Sequence, residues 1–126
     1  MKRKEAREKA VQTLFQLDNT ELSLDEAINY IIEEPANRFY EQLVRGTVQN
    51  KEAIDEVLTG KLEHWSLDRL PKIERTVLRI AVYELLFNEE VPHRVVLNEA
   101  IELCKTFGDE KSGRFVNGVL SKFEEK

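Results

Sequence analysis

The residues best suited to chemistry crowd the first nine positions. The string MKRKEAREK sets Lys2, Arg3, Lys4, Arg7 and Lys9 against Glu5 and Glu8, whereas the 126-residue chain as a whole carries a net charge of −5. Five cations against two acids leave this stretch at +3, so the other 117 residues hold −8. Charge segregated in this way is what an interaction arm for a polyanion looks like. Arg3 and Arg7 stand one helical turn apart, a spacing that offers two guanidinium forks to neighbouring phosphates, with Lys2 and Lys4 beside them. Phe15 follows three turns after Lys4 on the same side. Cations that hold phosphates, next to an aromatic that stacks on a base, are the means by which single-stranded RNA is gripped. The bland alternative is a solvated helix end, although cations there oppose the helix dipole.

Other chemistries are poorly supplied. His64 and His93 fall in separate connections and Cys104 is the single cysteine, too few and too scattered for a structural zinc set. No phosphate-cradling glycine loop and no nucleophile elbow occurs. Cys104 shares an apolar stripe with Ala100 and Ile101 and is expected to be a buried thiol. Neither an enzyme nor a bound cofactor is expected. Gln12 and Gln16 break any leader-like run, and no stretch approaches the ~20 apolar residues of a membrane span. A reducing, cytoplasmic setting follows by elimination.

Helices must position these residues. Five Gly and three Pro leave little material for β-turns, and 41% apolar content is enough for one core. Ala6, Ala10, Leu14 and Leu17 place a first helix from about Lys4 to Leu17, stopped by Asp18-Asn19-Thr20. Ser23 and Glu26 form a capping box for a second. Pro35 suits the first position of a third, which carries Phe39, Tyr40, Leu43 and Val44, and periodicity resumes from Ile54 after a bend near Gln49-Asn50. Residues 60–71 read as a connection anchored by Trp65. From Pro71 to Leu86, Ile73, Val77, Leu78, Ile80, Ala81, Val82, Leu85 and Leu86 cover most of the circumference, so this helix is expected at the centre. Within it Arg79 and Glu84 must reach an edge or pair with an opposite charge, since an unpaired buried charge is costly. A partner-facing edge bearing Glu74 and Arg79 is the functional alternative. Pro92 precedes a helix that Gly108 caps, and the last begins near Ser112 and carries Phe115, Val116 and Val119. Gly118 is expected to permit a close helix approach. The prediction is all-α: six or seven helices, no strand, one compact domain.

The strings L78-R-I-A-V-Y-E-L85, V91-P, L97-N-E-A-I-E-L-C-K-T-F-G108 and S112-G-R-F-V-N-G-V-L120 closely resemble the NusB family of bacterial transcription antitermination factors. A6-R-E-K-A-V-Q-T-L-F15, the segment from Asn50 to Asp55 and W65-S-L-D-R-L70 fit the same family, so the resemblance spans essentially the whole chain in order. It implies two packed three-helix bundles, about 1–60 and about 66–126. It also implies binding of boxA-type single-stranded RNA together with NusE, a small-subunit ribosomal protein, in an antitermination complex with NusA, NusG and RNA polymerase. Family members can also form homodimers that hide the RNA face. Carried over residue by residue, the RNA side comprises Lys2, Arg3, Lys4, Arg7, Gln12, Phe15, Arg94, Lys105, Arg114 and Asn117. The NusE-facing side comprises Glu74, Arg75, Arg79, Glu110, Lys111 and Ser112. The arm here is less arginine-rich than in many members, Glu5 interrupts it, and Lys111 stands where many are acidic. The residues alone also allow a purely protein-binding helical module.

Overall fold

The computed structural model describes residues 1–19, 21–32, 37–88 and 90–123. Among them are seven α-helices and no strand: α1 (Arg3–Asn19), α2 (Leu24–Ile31), α3 (Arg38–Gln49), α4 (Lys51–Lys61), α5 (Lys72–Phe87), α6 (His93–Phe107) and α7 (Glu110–Leu120). A 3-10 turn, Leu67–Arg69, lies between α4 and α5. No described helix is long and apolar enough to cross a membrane.

Local chemistry explains most of the boundaries. The Ser23 hydroxyl accepts the Glu26 N–H while the Glu26 carboxylate accepts that of Ser23, the expected capping box. Pro35 lies outside the described residues; α3 is capped by Asn37, whose side chain takes the Tyr40 N–H at 3.1 Å. The bend expected at Gln49-Asn50 is a full break between α3 and α4. The last helix starts two residues earlier than Ser112, because Asp109 caps it by accepting the Ser112 N–H at 2.8 Å. Pro71 and Pro92 stand immediately before α5 and α6, where a missing N–H costs nothing. The stretch Arg94 to Leu97, the best strand candidate in the sequence, is helical.

The core is arranged around α5, which touches α1, α3, α4, α6 and α7. Helices α1, α2 and α3 pack as one group and α5, α6 and α7 as another, while α4 leans mainly on α5. Val77, Leu78, Ile80, Ala81 and Val82 are buried within α5, as its apolar circumference predicts. Small Ala6 and Ala10, both fully buried, let α1 approach its neighbours closely. The Thr13 and Tyr40 hydroxyls share a 2.6 Å hydrogen bond inside the α1–α3 contact.

Two charged residues of α5 find partners by different routes. Glu84 is 2% exposed and receives both a 2.9 Å and a 2.8 Å hydrogen bond from the guanidinium of Arg7, itself 3% exposed. Arg7 heads the stripe Arg7, Ala10, Val11, Leu14 and so enters the core with it. Arg79 makes a two-pronged contact with Asp55 of α4, at 2.8 and 3.0 Å.

Glycine roles also differ from expectation. Gly118 faces open space, whereas a Cβ at Gly46 would run into the Tyr83 ring, which makes Gly46 the close approach between α3 and α5. Trp65 does not anchor its connection. Leu67 and Leu70 are the buried residues there, and Trp65 is 58% exposed.

Three stability outcomes follow. Glu84→Gln strands the buried Arg7 charge and is expected to cost about 3–5 kcal/mol in urea unfolding, while Arg7→Met combined with Glu84→Leu costs much less because both charges leave together. Gly46→Ala is expected to cost about 1–3 kcal/mol in thermal melts, against little or no loss for Gly118→Ala. Cys104, fully buried in α6, has its thiol pushed up to about 12, first by desolvation and then by Glu74 and Asp109. The folded thiol keeps its proton above the value at which the unfolded one ionises. Its contribution to stability is therefore whole below pH ~9 and is lost as pH climbs towards ~12. Labelling by a thiol reagent at pH 8 should track global unfolding.

Candidate nucleic-acid interface

The basic arm is built by the first turn of α1. Lys2 precedes the helix and accepts the Ala6 N–H at its carbonyl, and Lys2, Arg3 and Lys4 are all exposed. The guanidinium of Arg3 lies 4.6 Å above the Phe39 ring and 3.7 Å from Glu90, with about half its side chain open to solvent. Arg7 does not join it. The expected pair of adjacent guanidinium groups is corrected here: Arg7 points inward to Glu84, 5.0 Å over the same Phe39 ring, and offers nothing to a phosphate. One helical turn is enough to carry a residue from the solvent face to the core stripe.

Phe15 is not a neighbour of the arm either. It lies twelve residues beyond Arg3, roughly 18 Å along the helix axis. It is half-buried, with its ring edge-on to Phe107 at 6.1 Å and the ammonium of Lys72 4.8 Å above it. Lys72 also donates to the Phe15 carbonyl at 2.9 Å. Gln12, one turn earlier, is likewise half-buried.

A second surface assembles from the connection before α5 and the outer face of α7. Trp65 meets Phe115 edge-on at 5.8 Å and 81°, and a depression of about 270 Å³ beside them is flanked by Lys61, Arg114 and Lys122. Arg114 and Asn117 are exposed on α7. Lys122 is tied to the Lys61 carbonyl at 2.9 Å and to Glu63 at 3.4 Å. An exposed indole among cations is a stacking platform with a phosphate grip beside it. Trp65 is the site residue that the sequence reading took for an anchor. Its polar setting, Glu63-His64-Trp65-Ser66, was the available signal.

Arg94 is exposed in the first turn of α6, whereas Lys105, near the other end of that helix, is held by Glu102 at 3.7 Å. His64 is exposed and His93 half-buried, and no group of metal-binding side chains occurs among the described residues.

The residues expected on the partner side divide in two. Glu74 at the start of α5 meets Ser112 of α7. Burial holds the Glu74 carboxyl above the usual range, opposed by the hydrogen bond from Ser112, and Asp109 and Lys111 act on it with opposite signs. Glu110 and Lys111 are exposed beside them. Arg75 reaches Asp18 at 3.7 Å and the Asp68 carbonyl at 3.4 Å, and its side chain is 22% exposed. Arg79 is the correction: its guanidinium is engaged by Asp55 and only 12% of its side chain is exposed, so it staples α4 to α5 rather than facing outward. Phe15, Lys72 and Phe107 form one half-buried group and Glu74 with Ser112 another, near where α5 and α7 begin and α6 ends.

Comparison with known proteins identifies the family. The NusB family model matches residues 4–125. A protein of Lysinibacillus sphaericus (strain C3-41) named "Transcription antitermination protein NusB" is 67% identical over 126 residues, covering 100% of this chain and 99% of its own. Among solved structures, T. maritima NusB superposes with a TM-score of 0.88 at 36% identity, over 97% of this chain and 89% of that one. A chain from the structure described as "Crystal Structure of Antitermination Factors NusB and NusE in complex with dsRNA" gives 0.84 at 35% identity, over 94% and 92%. The family match and the superpositions span nearly the whole chain, and the chain belongs to the NusB family.

Proposed function

We propose that this protein is a non-catalytic transcription antitermination factor that grips boxA-type single-stranded RNA together with NusE. It does so in the cytoplasm, as part of an assembly with NusA, NusG and RNA polymerase. The observation that carries the RNA reading is an exposed basic turn, Lys2, Arg3 and Lys4, on an otherwise acidic chain, and a separate surface adds the solvent-facing Trp65 beside Arg114. Cations there supply sequence-independent phosphate contact, and the indole supplies stacking that single-stranded bases can use. Arg94 and Asn117 are exposed enough to contribute, and Lys105 can do so after leaving Glu102. A relative at 35% identity was crystallised with NusE and double-stranded RNA, which supports the same class of ligand and partner here.

NusE is assigned to the patch of Glu74, Arg75, Glu110, Lys111 and Ser112. A carboxyl half out of water, already bonded to Ser112, is the kind of group whose burial a partner completes. The second reading is a protein-binding adaptor that does not touch RNA. Free protein that self-associates through the RNA face would show RNA-dependent dissociation of the dimer.

Fluorescence anisotropy with boxA-like, scrambled and duplex RNA, with and without NusE, tests the reading. Sequence-dependent binding strengthened by NusE is expected; binding to NusE with none to RNA would leave the adaptor alone standing. Arg3→Ala with Lys4→Ala should flatten the slope of log affinity against log salt by roughly 0.7 per lost contact. Trp65→Ala should cost about 1–3 kcal/mol of RNA affinity with the slope unchanged.

A further inference from the structure

One trough runs on from the basic arm, where α1 and α3 begin and α5 ends. Two depressions of about 300 and 500 Å³ share Gln42 and Glu90 and so run together. The first is bordered by Arg3, Arg38 and Phe39, the second by Tyr83, Phe87 and Asn88. We propose that this trough seats a single guanine of the bound RNA. The inference rests on the RNA reading above.

Polarity sets the direction of the nucleotide. The Arg3–Arg38 end holds two exposed cations and the N-termini of α1 and α3, which favour a phosphate. The far end holds the C-terminus of α5, which repels one, and Glu90 lies where the two depressions meet. A nucleotide lying along the trough therefore puts its phosphate at the first end and its base at the second.

The second end selects among bases. Phe87 is 46% exposed and its ring lies stacked on Tyr83, centroids 5.9 Å apart and 21° from parallel, which leaves its outer face as a platform for stacking. Asn88 is 8% exposed; its carbonyl oxygen accepts the Glu90 N–H at 3.4 Å, and its amide nitrogen has no partner. An unsatisfied buried N–H asks for an acceptor. The depression is thus lined by a carboxylate acceptor, an amide donor without a partner and an aromatic pair. Guanine is the base whose Watson–Crick edge presents two adjacent donors, N1–H and N2–H, followed by the O6 acceptor. Glu90 takes the two donors and Asn88 supplies O6. Adenine, cytosine and uracil each lack the donor pair. The 3.7 Å contact of Glu90 with Arg3 joins two exposed side chains and yields cheaply to a base.

The test uses the full chain, with NusE, and a labelled single-stranded RNA bearing a guanine at one position, moved in turn along the sequence. At the seated position, replacement by inosine, which lacks the N2 amine, should weaken binding several-fold, and replacement by adenine about tenfold or more. Glu90→Gln, at an exposed side chain, should abolish the discrimination between guanine and inosine, and Asn88→Ala should reduce it if it folds; Phe87→Ala should weaken both RNAs alike by the lost stacking. Equal affinity for guanine, inosine and adenine RNAs at every position overturns the guanine seat alone, as does discrimination that survives Glu90→Gln. No RNA binding by the unaltered protein overturns the RNA reading and this inference with it.

Discussion

A helix buried on nearly every side cannot keep an unpaired charge, and that constraint organises this protein. Helix α5 carries Glu84 in the core and Arg79 at its half-buried flank, and each demands a partner from another element. Arg7 answers the first from α1 and Asp55 the second from α4. The two pairs set the position of α1 and α4 against the central helix with a directionality that apolar packing lacks. Desolvation consumes much of their Coulomb gain, so their value is chiefly in fixing which arrangement of helices is allowed.

The same constraint shapes the surface. Because Arg7 is drawn inward, the exposed basic arm is limited to Lys2, Arg3 and Lys4, and Phe39 lies beneath two guanidinium groups, one exposed and one buried. The arm becomes the exposed tip of a rigid, internally tied turn. Its cations are thereby held close to the helix ends around Arg38 and Glu90 rather than left on a loose tail.

The molecule presents distinct chemistry at distinct places. Cations cluster at the start of α1, an exposed indole with further cations stands beside α7, and a half-buried carboxyl bonded to Ser112 marks the start of α5. This separation suits an adaptor that must hold a nucleic acid and a protein at once, since the two ligands need opposite electrostatics. Lys111 adds a cation to the carboxyl-bearing patch and tempers its negative charge.

Helix class, capping and family were legible in the sequence because they depend on local spacing. The Ser23–Glu26 box, the prolines before α5 and α6, and the all-round apolar character of α5 concern residues within a few positions of one another. Orientation was not legible. Arg3 and Arg7 look alike in a helical pattern, and only the placement of α5 against α1 decides that one is solvent and the other core. Trp65 is apolar by type yet exposed, because Leu67 and Leu70 take the interior positions of its connection. Phe15 matches the arm in periodicity but lies at the other end of the helix, where α5 and α6 present Lys72 and Phe107. Burial is a property of what packs opposite a residue, and the partners here are up to 77 residues away. The sequence determined the helices and their kinship, and the tertiary structure alone decided which of their charges face water.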